Sequence, residues 1–274
     1  MNTGNTAKRV WVSVFTIPAI LAASYFGNFF FYLFVLIISL GSFYEFSLLL
    51  KNKNVDVNLY IGYVSIIFIL TSQYFFKIDI YSFILLVTVL ISGIELFRNK
   101  KSAILNISST LLGIFYIGFF SSALISIREF FPSNSKHYNQ GGFLVMSILI
   151  TIWICDSAAF FGGTAMGKHK LFPRVSPNKS WEGAISGFIF SILSMFVLKI
   201  IILQFLSWVS VISLGIIIGI IGQIGDLVES LFKRDAGVKD SSNFIPGHGG
   251  IFDRFDSLLF SAPVILFYLR YFTN

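Results

Sequence analysis

The sequence contains few charged residues for its length. Charged residues make up 12% of the 274 positions, hydrophobic residues make up 55%, and the mean hydropathy is +0.82. Soluble domains carry about 25% charged residues. This shortage of charge excludes an ordinary soluble protein, and the length allows one membrane domain of several helices rather than separate soluble modules.

Cysteine is almost absent, and the basic residues are not arranged for nucleic acid. The single cysteine, Cys155, excludes an internal disulfide and a cysteine-rich metal site, and its apolar surroundings indicate a small buried hydrophobic residue. The net charge is +7, but no basic stripe with interleaved aromatic residues lies outside the apolar segments. We therefore expect no nucleic-acid partner and attribute the positive charge to the positive-inside rule.

Long hydrophobic runs dominate the rest of the chain. A transmembrane helix needs about 17 to 25 mainly apolar residues. The runs that meet this need are 10–26, 28–50, 59–76, 80–97, 104–126, 143–161, 181–205, 208–232 and 253–272. We predict an all-α, polytopic integral membrane protein with about nine transmembrane helices. Because further spans follow at once, we expect the first run to be retained rather than cleaved as a signal peptide.

The distribution of lysine and arginine predicts the orientation. If nine spans alternate from a cytosolic N-terminus, roughly three quarters of the 20 basic residues lie inside, which favours a C-terminus outside. The polar connections 162–180 and 233–252 would then lie in the cytosol of an inner membrane protein. We expect one continuous membrane domain, with residues 127–274 carrying these catalytic loops and residues 1–126 forming the N-terminal helices.

The most polar stretch is residues 230–256, between the last two runs. Charges close to hydrocarbon are costly and usually act on something polar. Carboxylates there can bind a hard cation such as Mg²⁺, and lysine and arginine can neutralise phosphate. Pro246 and the neighbouring glycines allow the backbone to turn tightly near a ligand. The stretch therefore predicts a site for a polyanion held by metal and basic side chains.

The polar positions of this stretch resemble the C-terminal signature of the phosphatidate cytidylyltransferases, also called CDP-diacylglycerol synthases. The matching residues are Ser230, Lys233, Arg234, Lys239, Asp240, Ser242, Ile245, Pro246, His248, Gly249, Gly250, Asp253, Arg254 and Asp256. The resemblance implies a nucleotidyltransferase of phospholipid biosynthesis that transfers CMP from CTP to phosphatidic acid, giving CDP-diacylglycerol and pyrophosphate. It implies CTP, phosphatidic acid and the bilayer as partners, and Mg²⁺ as cofactor, with a second divalent or monovalent cation also compatible. The sequence leaves open whether the protein is a monomer or a homodimer.

A second motif occupies residues 176–183, Ser-Pro-Asn-Lys-Ser-Trp-Glu-Gly, and resembles the family's Ser-Pro-x-Lys-Thr-x-Glu-Gly segment. This chain carries Ser180 where the family has threonine, and Asn178 where many members have a second lysine. Ser180 is predicted to cap the following helix, and Lys179 can present its ammonium group to a triphosphate. For Glu182, a capping role and a role in the site are equally compatible with the sequence.

The resemblance and the physical reading together assign roles to named residues. The catalytic candidates are Asp226, Lys233, Arg234, Asp253 and Arg254. The candidates for substrate binding are Ser176, Lys179, Ser180, Lys239, His248, Gly249 and Gly250. The candidate metal ligands are Asp226 and Asp253, which we expect to meet at a shared cation, and additionally Asp256 and Asp156.

Several positional expectations accompany these assignments. Gly222 and Gly225 would let another helix approach that of Asp226 closely. Asp156 should face the interior of the helix bundle, as carboxylates in apolar helices usually do. The first turn of the last helix, which begins near Asp253, should favour carboxylates and phosphate because of its free N–H groups.

Simpler interpretations of these carboxylates and of His248 stay open. Asp226 could be an intramembrane partner for a lysine or arginine, and Asp253 could be a plain helix cap with a surface ion pair. His248 could bind phosphate or only stabilise its loop.

Two alternative functions also stay open. A CTP-dependent lipid-alcohol (polyprenol) kinase would release CDP, and a transporter of anionic solutes would need charges near the midplane of the bilayer.

Residues 162–169 nearly match the phosphate-binding loop (P-loop) of nucleoside triphosphatases. The match fails at His169, which lacks the hydroxyl that binds Mg²⁺, and the segment follows a transmembrane helix rather than a strand. We expect a flexible cytosolic turn there, with His169 on the surface. Lys168 and Lys170 would be available to anionic lipid head groups.

Overall fold

The computed structural model describes residues 3–75, 79–242, 244 and 249–273, with side chains from Val14 onwards. Most of these residues are helical. The helices are α1 (Thr3–Phe26), α2 (Asn28–Asn52), α3 (Leu59–Phe75), α4 (Ile80–Arg98), α5 (Ala103–Gly113), α6 (Phe120–Arg128), α7 (Tyr138–Met166), α8 (Trp181–Ile201), α9 (Trp208–Ile217), α10 (Gln223–Asp235) and α11 (Phe252–Phe272). The strands are β1 (Lys170–Phe172) and β2 (Ser176–Ser180).

The helices confirm the prediction of an all-α, polytopic membrane protein. Each predicted hydrophobic run coincides largely with helix, although α1 begins seven residues earlier than expected and α7 extends five residues beyond the expected run at both ends. The count of about nine transmembrane helices stays a prediction. Among the described residues, the helices long and apolar enough to cross a membrane are Asn28–Asn52, Ile80–Arg98, Ala103–Arg128, Tyr138–Met166, Trp181–Ile201, Trp208–Asp235 and Phe252–Phe272. Val14–Phe26 and Leu59–Phe75 are apolar but shorter.

Two of the long helices contain π-helical segments, Ile114–Phe119 and Ile218–Gly222. A π segment inserts an extra residue into the helical turn and is frequent at functional sites. The second segment immediately precedes α10, which carries Asp226 in its first turn. The π segment and the predicted site residue Asp226 are therefore neighbours in the same long helix.

The connection between α7 and α8 differs from the expected flexible turn. Helix α7 continues to Met166, and β1 and β2 then form an antiparallel hairpin. Lys170 pairs with Ser180 in this hairpin, and Phe172 pairs with Ser176. The expected flexible turn over residues 162–169 was wrong because α7 continues through most of that segment to Met166, and the backbone groups that follow are satisfied across the hairpin.

The chain forms two compact units. The first unit contains residues 1–20, 29–126 and 232–255, and the second contains residues 21–28, 127–231 and 256–274. The expected single continuous membrane domain, divided near residue 126, stays a prediction.

Aromatic packing organises the first unit around the end of α10 and the start of α11. The rings of Phe46 and Tyr116 each make edge-to-face contacts with Phe232 and Phe252, with centroids 5.6–6.5 Å apart. Edge-to-face pairs add to the free energy of burial. The polar segment between Phe232 and Phe252 is thereby held at both ends against α2 and the long helix that contains Tyr116.

A buried polar network lies elsewhere in the first unit. The Glu95 carboxylate is almost fully buried and accepts hydrogen bonds from Arg98 Nη1 at 2.8 Å and Asn106 Nδ2 at 2.6 Å. Arg98 also pairs with Asp56, whose second oxygen is 2.8 Å from Lys100 Nζ. The hydrogen bond from Lys100 and the charge of Arg98 lower the pKa of Asp56 below its ordinary value. This network ties the α2–α3 connection to α4 and α5.

Close helix contacts organise the second unit. A Cβ atom at Gly183 would lie 2.6 Å from the Ala159 carbonyl oxygen, and a Cβ at Gly187 would lie 3.0 Å from that of Cys155, so α7 and α8 pack backbone to backbone. Gly225 approaches Phe260 and the Asp256 carbonyl of α11 in the same way. The predicted close helix approach at Gly225 and the predicted burial of Cys155 are both confirmed.

Arg128 is fully buried in the second unit, where it closes the end of α1. Its Nε and Nη2 donate to the carbonyl oxygens of Ser24 and Tyr25 at 2.6 and 2.9 Å, and its Nη1 donates to the Tyr138 carbonyl at 3.3 Å. The guanidinium also lies 4.3 Å from the centre of the Tyr138 ring. One side chain thus satisfies the carbonyls at the end of α1, just before the left-handed turn at Gly27.

We expect Arg128→Lys to destabilise the protein, because an ammonium cannot reproduce the fork that reaches three carbonyls. The midpoint of thermal unfolding in detergent should fall by roughly 3–10 °C, as for the loss of a hydrogen bond to a charged group. Arg270→Lys, an exposed position of the same unit, is the matched control and should leave the midpoint unchanged. Equal midpoints for the two variants would contradict the assigned role of Arg128.

Candidate active site

Asp253 lies in the first turn of α11 and is held by groups from the preceding polar segment. Its Oδ1 accepts a hydrogen bond from Lys233 Nζ at 2.6 Å. Its Oδ2 accepts from Gly250 N at 2.8 Å and from Ser241 N and Oγ at 3.2 and 2.9 Å. The side chains of Lys233 and Asp253 are only 12% and 11% exposed. Two residues of the predicted catalytic set are therefore paired in a largely desolvated position, where charge interactions are strong.

A second carboxylate, Glu45 of α2, contacts the same segment and was missed by the sequence analysis. Oε1 accepts hydrogen bonds from Ile251 N at 2.9 Å and Ser242 Oγ at 2.6 Å. Oε2 accepts from Phe252 N at 2.8 Å and Ser241 Oγ at 2.9 Å. A carboxylate inside the apolar run around positions 43–46 is itself a signal, because intramembrane charges are usually functional.

These contacts bear on the expectation for the N-terminus of α11. The amide groups of Gly250, Ile251 and Phe252 point to Asp253 and Glu45. The preference of this helix end for carboxylates is confirmed. These three amides are bonded to carboxylates, and the expected affinity of this helix end for phosphate stays a prediction.

Asp226 contacts the second predicted motif. Its Oδ2 lies 2.6 Å from Lys179 Nζ, and its Oδ1 lies 3.4 Å from Ser230 Oγ. Both charged side chains are about one third exposed. The interpretation of Asp226 as a partner for a basic residue is thus the arrangement observed, and its role as a metal ligand stays a prediction.

The start of α8 matches the expected cap. Ser180 Oγ accepts a hydrogen bond from Gly183 N at 3.2 Å, which confirms Ser180 as the N-cap. Glu182 Oε1 accepts from His169 N at 3.2 Å and lies 2.7 Å from His169 Nδ1. Glu182 therefore ties the segment before the hairpin to the first turn of α8, and the choice between its capping role and a role in the site stays open. His169 is 80% exposed, as predicted.

The remaining candidates are more dispersed. Arg234, Lys239 and Arg254 are exposed, and Arg234 Nη1 donates to the Val238 carbonyl at 3.1 Å. Asp256 is buried, with its Oδ1 accepting from the amide of Ser257.

Other candidates occupy the hairpin and the glycine segment. Ser176 is half-buried within the hairpin. Gly249 has φ +81°, which glycine adopts without strain. His248 lies outside the described residues.

Asp156 does not occupy the expected interior position. It is exposed, whereas its neighbour Cys155 is buried against α8. Successive residues of a helix point about 100° apart, so the face of α7 that packs through Cys155 and Ala159 turns Asp156 away. The expectation was wrong because hydrophobicity alone did not identify which face of this nearly uniform helix is packed.

The carboxylates have the chemistry that Mg²⁺ requires. Among the described residues, no three His, Cys, Asp or Glu side chains converge as a closed metal cage. Mg²⁺ usually keeps several waters and is bound by one or two carboxylates together with substrate phosphate oxygens. Asp226 and Asp253 each provide oxygen donors beside an ammonium group, so each carboxylate taken separately has the donor chemistry that Mg²⁺ prefers.

Comparison with known proteins extends beyond the two motifs. The profile of the cytidylyltransferase family matches residues 7–272. A protein of Bacillus subtilis (strain 168), named phosphatidate cytidylyltransferase, is 34% identical over 251 residues, which span 87% of this chain and 89% of that protein.

Two further similar proteins carry the same name. That of Staphylococcus saprophyticus subsp. saprophyticus is 40% identical over 178 residues, spanning 65% of this chain and 64% of its own. That of Haemophilus influenzae is 43% identical over 145 residues, spanning 48% and 49%. The matched segments thus cover from about half to about nine tenths of the lengths of these relatives.

We expect Gly250→Ala to dislodge the segment that holds Asp253, because an added methyl group would collide with Ser241 Oγ and the Glu45 carboxylate. Overpacking of this kind costs about 1–3 kcal/mol. The midpoint of thermal unfolding should fall, and the rate of tryptic cleavage after the exposed Lys239 should rise. Gly93→Ala, at a helical position with open space, is the control. Similar behaviour of the two variants would show that the segment tolerates the methyl group.

Proposed function

We propose that this chain, which belongs to the cytidylyltransferase family, is a phosphatidate cytidylyltransferase. In this reaction a phosphate oxygen of phosphatidic acid attacks the α-phosphorus of CTP. The bond from that phosphorus to the oxygen bridging the β-phosphate breaks, and pyrophosphate leaves with the electron pair. The products are CDP-diacylglycerol and pyrophosphate. The attacking oxygen is already ionised at neutral pH, so the reaction depends on charge neutralisation and positioning more than on a strong base.

The observation that carries the proposal is that each motif pairs its lysine with an aspartate. Lys233 contacts Asp253, and Lys179 contacts Asp226, at 2.6 Å in both cases. A lysine beside a carboxylate can transfer its contact to a phosphate when a cation neutralises that carboxylate. The arrangement therefore suits a substrate that arrives as a polyanion with its metal ion.

The carboxylates Asp226 and Asp253 would hold Mg²⁺, with Asp256 and Asp156 as further candidates. Mg²⁺ would supply neutralisation of the negative charge that grows on the leaving pyrophosphate. Lys179, Lys233 and the exposed basic residues of the polar segment would bind phosphate groups. The meeting of Asp226 and Asp253 at one cation stays a prediction.

The proposed orientation has the N-terminus in the cytosol and the C-terminus outside, in the inner membrane. It is supported by the excess of lysine and arginine in the connections assigned to the cytosol. CTP would then reach both motifs from the cytosol. The acyl chains of phosphatidic acid would remain in the bilayer while the head group enters the site.

The activity is tested by giving purified protein phosphatidic acid with each of the four nucleoside triphosphates. We expect CDP-diacylglycerol and pyrophosphate with CTP, and little product with the other three. Release of CDP with a phosphorylated lipid alcohol would instead indicate a kinase. Uptake of an anionic solute into liposomes without CTP would indicate a transporter.

We expect Asp226→Asn and Asp253→Asn each to lower kcat for formation of CDP-diacylglycerol by roughly 100-fold or more, as when a group that stabilises transition-state charge is removed. Asp79→Asn is the matched control, because Asp79 caps α4 and asparagine caps helices equally well. It should retain wild-type activity. Full activity in either site variant would remove the metal role of that residue.

A further inference from the structure

We propose that Glu45 is a positioning residue for the reaction. Its carboxylate fixes the polar segment before α11 and thereby the orientation of Asp253. The catalytic part of this inference rests on the proposed function, whereas the structural part does not. It assigns a role in the site to the N-terminal helices, where neither sequence motif lies.

The contacts of Glu45 are numerous for a single carboxylate. It accepts four hydrogen bonds, at 2.6–2.9 Å, from two backbone amides and two serine hydroxyls. The residue is only 1% exposed. The donors are separated from Glu45 by 196 to 207 residues of sequence. All four contacts therefore stabilise tertiary structure rather than α2 itself.

Ser241 connects Glu45 to Asp253. Its Oγ lies 2.9 Å from Glu45 Oε2 and 2.9 Å from Asp253 Oδ2. A hydroxyl group has one proton, so it donates fully to only one carboxylate at a time. The position of Ser241 nevertheless limits where both carboxylates can lie, and Gly250 leaves room for this contact because it has no side chain.

The set of donors requires a carboxylate at position 45. The amides of Ile251 and Phe252 can only donate, each faces a different oxygen of Glu45, and both oxygens of a carboxylate accept. In glutamine, one oxygen becomes an NH₂ group, which would face the amide of either Ile251 or Phe252. The carboxylate also lies at the positive end of the α11 dipole, which is a favourable place for a negatively charged side chain. Glutamate is therefore the residue that orders this helix end.

Tight packing of α2 around Glu45 holds its carboxylate in place. Phe43 and Phe46, on either side of Glu45, are almost fully buried, and the Phe46 ring contacts that of Phe252. Side chains that orient a functional group act best when packing fixes them in turn. Loss of the carboxylate should therefore release the polar segment without loosening α2.

The first test measures hydrogen–deuterium exchange in peptides covering residues 249–256, in full-length protein. In Glu45→Gln, exchange at Ile251 and Phe252 should rise by roughly tenfold, as expected for the loss of a hydrogen bond to a charged group. Glu95→Gln is the matched control, because Glu95 is also a buried glutamate of the first unit but contacts Arg98 and Asn106. It should leave this peptide unchanged.

The second test measures how the rate depends on Mg²⁺. Misplacement of Asp253 in Glu45→Gln should raise the Mg²⁺ concentration for half-maximal activity by roughly tenfold, because a displaced ligand weakens metal binding. A variant that only folds less well would show a lower maximal rate with an unchanged midpoint. Glu95→Gln should keep the wild-type midpoint.

A milder variant covers the case in which Glu45→Gln does not fold. Ser242→Ala removes one donor to Glu45 Oε1 and should raise exchange in the same peptide to a smaller extent.

Unchanged exchange in every variant that folds, or an equal increase in Glu95→Gln, would overturn the inference. Raised exchange with an unmoved Mg²⁺ midpoint would overturn its catalytic part. If wild-type protein makes no CDP-diacylglycerol, the proposed function fails, while the exchange experiment still tests the contacts of Glu45.

Discussion

The structure depends on satisfying a buried carboxylate in apolar surroundings. Glu45 is removed from water within a helix that is otherwise almost entirely hydrophobic. A buried charge is tolerated only when it is hydrogen-bonded or paired. Here the partners are the amides of Ile251 and Phe252, at the start of α11, and two serines of the preceding segment. The cost of burying Glu45 is therefore offset only when that segment adopts one conformation, and the same conformation orients Asp253.

Pairing of opposite charges is the second way in which this protein accommodates charged side chains away from water. Lys233 with Asp253 and Lys179 with Asp226 each join a cation to an anion at hydrogen-bond distance. In a partly desolvated position such a pair costs less than either charge alone. In the proposed reaction a metal ion would replace the lysine and a phosphate would replace the aspartate, so the same residues would serve stability without substrate and affinity for a charged substrate.

The sequence predicted some parts of this arrangement well and others poorly, for identifiable reasons. Hydrophobic runs gave the helices, and Ser180 was recognised as a cap because its role depends on residues three positions away. The β1–β2 hairpin was missed because its pairing leaves no hydrophobic periodicity. Asp156 was misplaced because the packed face of α7 is set by glycine contacts with α8, which average hydrophobicity does not encode.

By itself the sequence determined the helical, membrane-spanning class, the family signature and the identity of Lys179, Lys233, Asp226 and Asp253 as its charged candidates. These features depend on composition or on residues close together in the chain. The tertiary structure alone decided that Glu45 contacts the segment around Asp253, that Lys179 and Lys233 are each paired with an aspartate, and that the amides of Gly250, Ile251 and Phe252 are bonded to carboxylates. Those outcomes depend on contacts between residues far apart in sequence, whose geometry follows from packing rather than from any local pattern.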